Sequence, residues 1–163
     1  MDEERNRGFR MKKNITPTYS VPPELSSLLE KAAKFHGHLG PFLAIGIRMG
    51  LLGLKKIETE KDDRITVDVS LPLHVPFSCI IDGIQFSTHC TIGNQKLSVN
   101  DSDSIQTKFN RENDRVQVTI TLNKSIFEEI KSELLKKDMP EEEVQRLAWA
   151  IASIPEEKLF KML

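Results

Sequence analysis

Residues 41–54, Pro-Phe-Leu-Ala-Ile-Gly-Ile-Arg-Met-Gly-Leu-Leu-Gly-Leu, are apolar on almost every side of a helix, and no other stretch constrains the fold as strongly. A helix without a polar face has to be covered all round, so the rest of the chain must wrap it. Gly46 and Gly50, four residues apart, leave one face on which another backbone can come close. The stretch is shorter than the roughly 20 residues of a membrane span, and it contains Arg48. It therefore predicts the central helix of a soluble domain, opened by Gly40-Pro41 with proline in the first turn.

The flanking pattern supplies the cover. Leu25, Leu28, Leu29, Ala32 and Ala33 recur at helical spacing, so a helix is expected from Pro23 to about Phe35, with Gly37 as its stop. Residues 64–71 alternate strictly and predict a strand with Ile65, Val67, Val69 and Leu71 on its buried face. Pro72 and Pro76 interrupt that ladder. A short helix is expected over 77–86, then a polar loop to Gln95. A weak strand at 105–109 and a strong one at 116–122 flank a turn, which predicts a hairpin. Ser125 is positioned to cap a helix carrying Ile126, Phe127 and Ile130, and Pro140 to open another with Val144, Leu147 and Ile151. The expected class is α+β, helices packed on a small, mostly antiparallel sheet.

A length of 163 residues with 39% hydrophobic content suits one core, so residues 1–20 read as a flexible tail and 21–163 as a single domain. Lys and Arg number 23 against 24 Asp and Glu, which leaves no electrostatic footprint for nucleic acid. Two cysteines are too few for a disulfide scaffold, and no secretory signal opens the chain, so a cytoplasmic protein is expected. Trp149 falls on the polar side of its helix, either covered by neighbouring loops or buried against a second copy of the chain.

All four histidines and both cysteines lie between positions 36 and 90. His36 and His38 share a face only if the chain leaves the helix between them, which Gly37 permits, beside the free N–H groups of the next helix. A histidine at a helix C-terminus also caps carbonyls, so each alone has a structural explanation. Cys79, Asp82 and Gln85 share a helical face. Cys79 and Cys90 with one or two imidazoles make a donor set zinc prefers, while the same residues suit a thiol-redox pair. Arg48 either snorkels to solvent or meets an anionic ligand. The stretch from Thr91 through Asn94 to Lys96 resembles a polar binding loop without phosphate-loop spacing.

Together, Phe35-His36-Gly37-His38-Leu39-Gly40-Pro41, then Cys79-Ile80-Ile81-Asp82-Gly83-Ile84-Gln85, then Thr88-His89-Cys90-Thr91 resemble the FmdE family, named for a component of formylmethanofuran dehydrogenase. The resemblance implies an intertwined homodimer and a metal site, zinc or else iron, with His36, His38, Cys79 and Cys90 as ligands. It implies Asp82 and His38 as catalytic groups, with Gln85, Arg48, Thr91 and Asn94 toward substrate. Many members carry Cys-Pro-Gly where this chain reads Gly40-Pro41-Phe42, so one thiolate of that pattern is missing. His89 replaces a glycine, and Asp103-Ser104 a frequent Gly-Lys pair. The implied function is a metal-binding protein, as a metal-dependent enzyme or a subunit, linked to formylmethanofuran and one-carbon metabolism. The alternatives are a non-catalytic accessory subunit of a larger oxidoreductase and a Cys79/Cys90 redox module.

Overall fold

A computed structural model describes residues 20–59, 64–136 and 138–163. The order is α1 (Pro23–His36), α2 (Pro41–Lys56), β1 (Ile65–Leu71), α3 (Cys79–Thr88), β2 (Leu97–Asp101), β3 (Gln106–Arg111), β4 (Val116–Leu122), α4 (Lys124–Leu134), α5 (Glu141–Ser153), α6 (Glu156–Leu159) and β5 (Phe160–Met162). The strands form one mixed sheet in the order β2-β1-β3-β4-β5. β1 and β2 are parallel, joined through α3, and every other pair is antiparallel. The expected α+β class with a mostly antiparallel sheet is observed. The expected tail lies, except for Ser20, outside the described residues.

α2 is the centre of the molecule, with Phe42, Leu43, Ala44, Ile45, Ile47 and Met49 all essentially inaccessible. α3 meets it backbone to backbone. A Cβ added at Gly46 would lie 2.2 Å from the Ile80 carbonyl oxygen, and one at Gly83 would lie 2.5 Å from that of Leu43. The crossing thus depends on a glycine from each helix, and it carries Cys79 and Asp82, on α3, up to the start of α2. α5 docks on α2 as well. The Arg48 guanidinium donates to the Ile151 carbonyl at 2.8 Å and to that of Ile154, satisfying carbonyls at the α5 C-terminus. Burial draws its pKa below the ordinary value, against the opposing pull of Glu156 and Glu157. Arg48 therefore neither snorkels nor faces the histidines; it ties two helices together.

Several expectations shift. The helix expected from Phe77 starts at Cys79, because residues 75–78 form turns around a cis Val75–Pro76 bond, and it runs on to Thr88. β2 lies just beyond the expected polar loop, in a stretch for which no element is expected; only Leu97 is buried in it, so edge pairing rather than hydrophobic alternation makes it a strand. β5 is three residues long, below what periodicity can register. α4 starts at Lys124 with Asn123 as its N-cap residue, and the Asn123 side chain bonds the Lys158 carbonyl instead of capping. Ser125 thus falls inside the helix. Trp149 is half-buried and packs against the protein's own core.

Candidate metal centre

α1 ends in a left-handed Gly37, φ 105°, and this turn brings His36 and His38 together across the corner into α2. Their rings stand 4.7 Å apart, centroid to centroid. The α2–α3 crossing delivers Cys79 to the same corner. One donor atom from each of His36, His38 and Cys79 lies within 4.8 Å of the others. Donors around a tetrahedral zinc stand about 3.3–3.8 Å apart, and His38 is the exposed member of the three.

Asp82 lies one turn beyond Cys79 on α3. Its Oδ2 accepts a hydrogen bond from His36 Nδ1 at 2.6 Å. A carboxylate only accepts, so the proton of this bond sits on Nδ1, and in the neutral imidazole Nε2 is left as the acceptor. That Nε2 is buried and has no hydrogen-bond partner. A carboxylate hydrogen-bonded to a histidine that also belongs to a cluster of donors is the arrangement that orients metal-ligating imidazoles. Two imidazoles and a thiol suit a borderline-soft cation, so the residues fit zinc.

Burial pushes the Cys79 thiol up, and the Asp82 charge adds to the rise. Beside His38 and Cys79 a cavity of about 50 Å³ is lined by Gly40, Pro41, Phe42, Leu43, Pro76, Leu134 and Val144. Leu134 and Val144 come from the C-terminal helices. In the sequence they are ordinary apolar positions of amphipathic helices, and no signal sets them apart.

Cys90 does not join the cluster. It is 3% exposed, its Sγ lies 3.7 Å from the Ile65 carbonyl oxygen, and burial pushes its thiol up. Gln85 bonds Asp82 and the Ile92 N–H. Thr91 and Asn94 close a turn on each other: the Thr91 N–H donates to Asn94 Oδ1 at 2.9 Å, and the Asn94 N–H to Thr91 Oγ1 at 3.0 Å. His74 lies edge-on to Phe77, rings 5.0 Å apart, and both His74 and His89 are exposed outside the cluster.

His89 caps α3 at φ 61°, a left-handed conformation that costs a side-chain-bearing residue about 1–2 kcal/mol. Its replacement by glycine is expected to stabilise the fold by about 0.5–1 kcal/mol, after the extra chain entropy of glycine is subtracted. A thermal melt of His89→Gly checks this, and an unchanged or lower Tm rejects the strain.

Comparison with known proteins matches this architecture and these motifs. A curated relative, the probable S-adenosyl-L-methionine-binding protein of Archaeoglobus fulgidus, is 30% identical over 152 residues, covering 83% of this chain and 42% of its own length. The chain thus spans under half of that relative. The crystal structure of a tungsten formylmethanofuran dehydrogenase FmdE-like protein from Syntrophus aciditrophicus shares the fold, with a TM-score of 0.57 at 21% identity, over 85% of this chain and 70% of that one. The family model described as "FmdE, Molybdenum formylmethanofuran dehydrogenase operon" matches residues 35–161, from the first residue of the histidine corner into β5. With its motifs, its fold and most of its length in agreement, the chain belongs to the FmdE family.

Proposed function

We propose that this is a zinc-binding protein of the cytoplasm, linked to formylmethanofuran and one-carbon chemistry, in which His36, His38 and Cys79 are the ligands. The observation that carries the reading is the buried, unpartnered Nε2 of His36 with Asp82 fixing the proton on the opposite nitrogen. Zinc held by three protein ligands supplies a Lewis acid with one position open, and iron is the other cation such donors take. The chain's own groups do the rest. Asp82 orients His36, and the apolar cavity beside His38 and Cys79 favours a small uncharged group over a charged one. Cys90 stays outside the ligand set, and Arg48 is engaged with the carbonyls at the end of α5.

Protein purified without chelators or a His tag and reconstituted with zinc is expected to hold about one ion per chain. Cys90→Ala is expected to hold as much. Wild-type protein that takes up no metal sinks the reading, and loss of metal in a folded Cys90→Ala variant redraws the ligand set.

A second reading rests on exposed apolar residues next to the centre. Phe35, 63% exposed, precedes His36; Val75, 76% exposed, precedes Pro76 of the cavity wall; and Ile92 is 57% exposed. Such residues favour a covered rim, in a homodimer or as an accessory subunit of a larger oxidoreductase. That role predicts co-purification with a partner that survives removal of Cys79.

A further inference from the structure

Gln85 is joined to the centre through Asp82 and to the following loop through Ile92. Its Oε1 accepts the Ile92 N–H at 3.0 Å, and a backbone N–H can meet only the oxygen end of the amide. The NH₂ end is thereby turned toward Asp82, where Nε2 donates to Oδ1 at 3.4 Å. Both carboxylate oxygens of Asp82 are then assigned, Oδ1 to Gln85 and Oδ2 to His36. The loop end is held as well. Asn94 Oδ1 accepts the Thr91 and Lys96 N–H groups, and Asn94 Nδ2 donates to the His89 carbonyl at 2.8 Å. The Thr91 and Asn94 side chains are thus used within the loop, where they serve its backbone.

We propose that Gln85 is a positioning residue: anchored by the Ile92 N–H, it stops the Asp82 carboxylate from rotating and so keeps His36 in the tautomer whose Nε2 faces the metal. This role rests on the metal reading above. Both ends of the Gln85 amide are engaged, Oε1 by the Ile92 N–H and Nε2 by Asp82.

The test uses two variants of the full chain. Gln85→Leu removes both bonds. Gln85→Glu keeps an acceptor for Ile92 and sets a negative charge against Asp82 in place of the donor. Thermal melts establish that each is folded. ¹⁵N–¹H spectra of the metal-free proteins then report the His36 tautomer, and chelator competition reports zinc affinity. Wild type is expected to show the proton on Nδ1 alone. Both variants are expected to show mixed tautomers and about tenfold weaker zinc binding, the lower end of what losing an outer hydrogen-bond partner costs. Should Gln85→Leu fail to fold, Gln85→Glu carries the test alone. Folded variants that keep the Nδ1–H tautomer and bind zinc within twofold of wild type overturn the role and leave the metal reading standing. Wild-type protein that binds no zinc overturns both.

Discussion

Cys79→Ala protein is expected to lose essentially all of its zinc while remaining folded. Cys79 is the one thiol of the cluster, and removing an outer hydrogen-bond partner already weakens metal sites by about 10–100-fold. Loss of a ligand atom should exceed the upper end of that range. The fold should tolerate the change, because the thiol is a small group at the first turn of α3 and the close α2–α3 contact is made elsewhere, at Gly46 and Gly83. The sign of the pH dependence follows from burial. With its pKa raised by desolvation and by Asp82, the thiol is protonated in the metal-free protein, so an incoming cation displaces a proton. Zinc affinity of the wild type should rise by up to about tenfold per pH unit below the thiol pKa, and this increment should vanish in Cys79→Ala. Competition titrations at several pH values read both effects. A variant that binds zinc as tightly as wild type would remove Cys79 from the ligand set.

Gly46→Ala should be strongly destabilising. The added Cβ would sit 2.2 Å from a main-chain oxygen of α3, which cannot swing aside as a side-chain tip can. A loss of about 3 kcal/mol is expected, the upper end for overpacking. For a chain of this size that corresponds to a fall in Tm of about 6–12 °C. Two contrasts make the mechanism specific. At Gly50 the nearest obstacle is the Ser87 hydroxyl, at 2.0 Å, a side-chain tip that can rotate, so Gly50→Ala should cost less. At Gly40 the nearest atom is His38 Nε2 at 3.5 Å, ordinary contact, so Gly40→Ala should be close to neutral for stability. Equal losses at all three positions would dismiss close backbone approach as the cause. Because this crossing also delivers Cys79 and Asp82, Gly46→Ala protein should hold less zinc at temperatures where it is still folded.

The strongest elements were legible in the sequence because their signals are local. The all-round apolar α2, the alternation of β1 and the hairpin of β3 and β4 each follow from side-chain period, and Gly37 between two histidines announces a corner. Even the close approach at Gly46 could be anticipated, though not that Gly83 would meet it. What the sequence could not express is any relation made through space. β2 and β5 exist because a neighbouring strand offers backbone partners, and in five and three residues they carry too little pattern to stand alone. Cys79 and Cys90 look equivalent as a pair of thiols, yet the crossing angle of α3 turns one toward the histidines and leaves the other against the Ile65 carbonyl. Arg48 read as a snorkel or an anion site because the carbonyls it caps are more than 100 positions away along the chain. Residue types and spacings thus determined which groups are available for chemistry and where the strongest helices and strands lie. Tertiary structure alone decided which of those groups meet, because a metal centre is set by distances of a few ångströms between elements whose contacts leave no periodic trace.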